Sequence, residues 1–162
     1  MKKNTKGFSL IELLIVVAII LIIAAIAVPN LLRSRIAANQ ASAVQTLRTI
    51  NTAEVSYAST FGVGYSPTLA ALGPAPAAGA TAAAAGLVDN LLGMDPAVKS
   101  GYTSTYTTGG VDASGITNTY TVGSVPSVPG TTGTNYFFTD QTFVIRFVVG
   151  AAASAASPPI GN

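Results

Sequence analysis

The 162-residue sequence has no cysteine, no histidine and no tryptophan, and only 9% of its residues are charged. Without Cys or His there is no zinc finger, thiol nucleophile, disulfide framework, Ser-His-Asp triad or histidine base. A charged fraction so far below the usual quarter or so is unlike an ordinary soluble globule. It also argues against a nucleic-acid partner, which requires Lys and Arg clustered on one face. The length suits a single domain with at most an appendage.

What is present is segregated. Three of the four lysines are Lys2, Lys3 and Lys6, and 19 of the 21 residues from Phe8 to Val28 are apolar, the exceptions being Ser9 and Glu12. As a helix this run spans about 31 Å, close to the hydrocarbon thickness of a bilayer. A transmembrane helix is the direct reading. The lysines keep the N-terminus cytoplasmic and place everything after Val28 beyond the membrane.

Three fates of this segment are open on the residues alone. It is an uncleaved signal anchor, a signal peptide cut after the small-x-small sequence Ala25-Ile26-Ala27, or an apolar helix retained after a leader is removed before Phe8. Glu12 separates them, because a carboxylate at membrane depth costs on the order of 3 kcal/mol and such residues are by default functional. An anchor or a signal peptide gains nothing from it. A chain cut between Gly7 and Phe8 has a new amine about one helical turn away, and the two opposite charges can neutralise each other within one chain or between neighbours.

The sequence Lys6-Gly7-Phe8-Ser9-Leu10-Ile11-Glu12-Leu13, continued by apolar residues to Val28-Pro29, resembles the N-terminal processing and methylation motif of type IV pilins and pseudopilins. The resemblance is close over about the first 50 residues and covers the rest in outline. It implies an α+β fold, with a long N-terminal helix packed on a small C-terminal antiparallel sheet. It implies cleavage after Gly7 by a prepilin peptidase, N-methylation of Phe8, and pairing of Glu12 with the Phe8 amine of a sister subunit during assembly. The implied partners are sister subunits, the peptidase and methyltransferase, an inner-membrane assembly platform, and the lipid bilayer before assembly. The implied location is the inner membrane and then a filament on the cell surface. A secretion pseudopilin in the periplasm, or a minor adhesive subunit, would carry the same N-terminus. Where many relatives have glycine this chain has Leu21, a strong helix former, so a kink or melted stretch is expected just before Pro29.

Downstream, Leu32, Ile36, Ala43, Leu47, Ile50, Tyr57 and Phe61 recur at helical spacing. The expected organisation is a leader at 1–7, a membrane or filament-core helix at 8–28, the amphipathic half of the same helix at 29–61, an Ala/Gly/Pro-rich region at 62–100, a β region at 101–149 and a weakly ordered tail at 150–162. Arg33 and Arg35 suit lipid phosphates before assembly and acidic neighbours afterwards, or plain solvation. One helical turn is expected at Leu69 to Leu72, and a short helix from an N-cap at Thr81 through Leu92 to Gly93. Strands are expected at Tyr102 to Thr107 and Asn118 to Val122, and a hairpin pairing Tyr136 to Thr139 with Phe143 to Val148. Tyr136, Phe138, Phe143, Ile145 and Phe147 are the candidates for packing on the helix. Relatives often close the C-terminal region with a disulfide, which this chain cannot form, and some pseudopilins use calcium there. Asp89, Asp95, Asp112 and Asp140 show no loop-ligand spacing, so no metal, no cofactor and no catalytic residues are expected.

Overall fold

The computed structural model describes residues 7–161; Lys2, Lys3 and Lys6 of the expected leader lie outside them. The chain divides into two compact units, with the boundary after Arg35. Helix α1 runs from Leu10 to Phe61, and α2 is a single turn at Leu69–Leu72. Five strands follow: β1 Ala97–Lys99, β2 Tyr102–Thr108, β3 Tyr120–Pro126, β4 Asn135–Asp140 and β5 Arg146–Val149. They form one antiparallel meander in the order β1-β2-β3-β4-β5. This is the α+β architecture that the resemblance implies.

Between Gly7 and Gly62 the sequence has no glycine and one proline, so nothing but Pro29 interrupts helix propensity. The helix is continuous through Pro29 in the single chain. It ends where Gly62 takes φ of 67°, a left-handed conformation that glycine adopts without penalty.

In the C-terminal unit, Ala43, Leu47, Ile50, Ala53 and Tyr57 of α1 are buried with Tyr102, Tyr106, Tyr120, Val122 and Phe137 of the sheet. Burial alternates along β2 and β3 as period-2 geometry requires. Tyr102, Ser104 and Tyr106 point inward from β2, and Tyr120, Val122 and Ser124 from β3.

Three sequence expectations need correction. On β4 the buried residues are Phe137, Thr139 and the terminal Asp140, while Tyr136 and Phe138 are only partly covered. The inward face is one residue out of step with the expected one, and a single step exchanges the two faces of a strand. Phe143 is 40% exposed and precedes β5 at φ of 62°. The inward side chains missed were the tyrosines of β2 and β3.

No helix forms at 81–92. The N–H groups of Ala85, Gly86, Leu87 and Val88 go to the carbonyls of Ala71, Gly73 and Leu72 at 2.7–3.0 Å. They satisfy the C-terminal carbonyls of α2 and its cap, and so are not available to a helix of their own. Thr81 instead closes a tight turn with Ala84. Finally, the tail returns along β5. Phe147 N–H donates to Pro158, Ile160 N–H donates to Ile145, and Arg146 Nη1 donates to the Ser157 carbonyl, all at 2.9–3.0 Å.

Candidate processing and assembly segment

The first 25 described residues contain the predicted site. Gly7 and Phe8 precede the helix and are exposed, Phe8 by 82%. From Leu10 through Leu32 no residue of α1 is buried. The helix is apolar all round over this stretch, a pattern found where a helix is enclosed on every side. At about 25 cal/mol per Å², leaving such a surface in water is prohibitive. It is long and apolar enough to cross a membrane.

Glu12 sits in the first turn of α1. Its Oε2 accepts the backbone N–H of Ser9 at 2.9 Å, and Ser9 Oγ accepts the N–H of Ile11 at 3.4 Å. Ser9 also supplies the first helical carbonyl, to Leu13 N–H. The structure therefore gathers Phe8, Ser9 and Glu12 at one helix end. The part played by Ser9 was missed in the sequence, although Ser-x-x-Glu ahead of an apolar run is a capping signature. Arg33 and Arg35 are exposed beyond the apolar stretch.

A second carboxylate was also missed. Glu54 lies on the amphipathic half of α1 and is fully buried. Its two oxygens accept the N–H of Ser66 at 2.8 Å and the hydroxyl of Ser66 at 2.6 Å. Tyr106 donates to the Ser66 carbonyl at 2.8 Å. Burial raises the Glu54 carboxyl above its ordinary value and outweighs these hydrogen bonds, which act the other way. One turn earlier, Asn51 accepts from Tyr120 at 2.8 Å and donates to Thr139 at 3.0 Å. These paired polar groups key α1 to the sheet and to the segment after it. The sequence signal was their position: Asn51 and Glu54 fall on the turns that carry Leu47, Ile50 and Tyr57.

Among the described residues no three of His, Cys, Asp and Glu come together as a metal site. Asp112, fully exposed, accepts from the Ile116 and Ser114 N–H groups and from Asn118, which hold its carboxyl below its ordinary value. Asp89 is likewise lowered, chiefly by the Leu92 N–H and then by Lys99, which it meets at 3.0 Å.

Residues 2–28 match the prokaryotic N-terminal methylation motif. Over 37 residues the chain is 65% identical to the type IV wide pilus major component PilA4 of Thermus thermophilus, a stretch that covers 23% of this chain and 28% of that protein. Over 54 residues it is 46% identical to the type IV major pilin protein PilA of Myxococcus xanthus, covering 33% of this chain and 24% of that one. The chain thus spans about a quarter of the length of the curated relatives it matches. No solved structure matches it.

Proposed function

We propose that this chain is a structural subunit that polymerises through α1 into a type IV pilus filament, after cleavage behind Gly7 and N-methylation of Phe8. The observation that carries this reading is an all-round apolar helix with no buried residue from Leu10 to Leu32, headed by a methylation motif. Before assembly, lipid solvates this surface; in a filament, the same segments of sister subunits do. The apolar face passes between two solvents of similar polarity and never meets water. Glu12, paired with the Phe8 amine of a neighbour, sets the axial register, since neither charge is stable unpaired in that interior. Pro29 is where the helix would bend or unwind as subunits close around one another. The subunit waits in the inner membrane and ends on the cell surface. Its partners on the way are a prepilin peptidase with methyltransferase activity and an assembly platform, and its role is structural, without catalysis.

The decisive experiment is intact mass and N-terminal sequencing of the exported form, together with electron microscopy of sheared material. A chain that begins at Phe8, carries one added methyl group and is recovered in fibres supports the proposal. A start at Val28 would make it a soluble secreted protein. Absence of fibres beside a secretion defect would point to a short periplasmic pseudopilus. Glu12→Ala is expected to leave a processed, membrane-inserted monomer with few filaments, measured as the sheared-to-cellular ratio.

A further inference from the structure

Glu12 already has a partner in its own chain. Leu10 is the first helical residue, so Ser9 is the N-cap and Glu12 the third residue of the helix. The Ser9 N–H to Glu12 bond is the reciprocal half of a capping box, and the Ser9 hydroxyl caps the second helical N–H, that of Ile11. The first N–H groups of a helix have no carbonyl partner, and in hydrocarbon no water replaces one. The helix dipole also favours an anion at this end. A carboxylate at this position therefore lowers the cost of holding the helix end in the membrane.

We propose that Glu12 acts in two stages: first as the cap that closes its own helix while the leader is attached, then as the partner of the amine that cleavage creates. The second stage rests on the filament reading above; the first does not. With Gly7 attached, the Phe8 nitrogen is a neutral amide and Glu12 Oε2 is engaged by the Ser9 N–H. Hydrolysis of the Gly7–Phe8 bond consumes one water, leaves a carboxylate on Gly7, and frees an amine on Phe8 that takes up a proton. The new cation is a stronger partner than the Ser9 amide. Cleavage thereby changes what the carboxylate binds. Until then the chain has no Phe8 amine to offer a carboxylate, its own or a sister's.

The test uses the full chain made without prepilin peptidase and held in detergent micelles, with amide exchange read at Ser9 by NMR. Glutamine keeps the capping oxygen and loses the charge, so Glu12→Gln and Glu12→Ala separate the two stages. Ser9 exchange is expected to quicken roughly fivefold or more in Glu12→Ala and to stay near wild type in Glu12→Gln. In cells with the peptidase, both variants should be cleaved and both should yield few filaments. Ser9→Ala should quicken exchange at Ile11, and Ser9→Thr should restore it. Unchanged Ser9 exchange in Glu12→Ala, or equal quickening in Glu12→Gln, overturns the capping stage. Wild-type filament yield from Glu12→Gln overturns the handover. If the wild-type chain makes no filaments at all, the filament reading fails with the handover, and the capping result stands by itself.

Discussion

Replacing Glu54 with alanine removes the carboxylate to which the Ser66 N–H and hydroxyl both donate. Glu54 and Ser66 are each fully buried, so no water takes over the 2.8 Å N–H and 2.6 Å hydroxyl bonds. A buried donor left unpaired costs about 1–3 kcal/mol. The N–H is stranded, the hydroxyl keeps the Thr68 carbonyl at 3.1 Å, and removing a desolvated carboxylate offsets part of the loss. The net destabilisation is about 1–3 kcal/mol, which for a unit of this size lowers Tm by roughly 4–12 °C. The assay is thermal unfolding of the full chain in detergent, followed by the tyrosine signal in near-ultraviolet circular dichroism. Glu54→Gln keeps the shape and an acceptor, and isolates the charge. The folded carboxyl lies above its ordinary value of 4.5, so the folded state holds a proton that the unfolded state releases. That contribution is fully present below the unfolded value and is lost as pH rises through the folded one. The wild type should therefore lose stability between pH 4.5 and neutrality relative to Glu54→Gln, and the two should converge in acid. The phenols around Glu54, Tyr57, Tyr106 and Tyr120, are all pushed above 10.0 and add nothing in that range. An alanine variant within about 0.5 kcal/mol of wild type, an ordinary surface effect, or a glutamine variant with an unaltered pH slope, would refute the reasoning.

Three further outcomes are expected. Gly64→Ala should destabilise the C-terminal unit by about 1–3 kcal/mol. Gly64 has φ of 78°, and an added Cβ would collide with the Thr117 carbonyl; denaturant midpoints measure this. Asn51→Leu should cost about 1–3 kcal/mol by stranding Tyr120 and Thr139, and Asn51→Leu combined with Tyr120→Phe should cost less than the sum, which a double-mutant cycle reads directly. In alkaline titration followed by phenolate absorbance, four of the six tyrosines, Tyr57, Tyr102, Tyr106 and Tyr120, should ionise late. Burial raises all four, Tyr102 to about 12; normal titration of all six below pH 11 would contradict their placement.

The N-terminal motif and its apolar helix were legible because their signals are local. An apolar run, a glycine before an aromatic residue and one carboxylate at a fixed offset require no knowledge of the rest of the chain. The helix stripe was legible for the same reason, as were four of the five strands in outline. The inward face of β4 was not. Tyr136, Phe137 and Phe138 are three consecutive aromatic residues, so pattern alone does not fix the parity of that strand; pairing with β3 does. The short helix expected after Thr81 failed because α2 claims the N–H groups it needed. Glu54 was passed over as one more charge on a long helix. Only the approach of Ser66 from beyond Gly62 and Gly64 makes it a buried acceptor.

The returning tail has a consequence for crowding. A meander of five strands has two open edges, and an open edge is a template for another sheet. Arg146 is bridged to Pro159, and the Phe147 and Ile145 backbones are already taken up by Pro158 and Ile160. Pro158 and Pro159 have no N–H to offer beyond that bridge. The last strand is therefore blunted by a segment that is itself a poor template. In the proposed filament, copies crowded together by their helices would meet no free pairing template along the β5 edge.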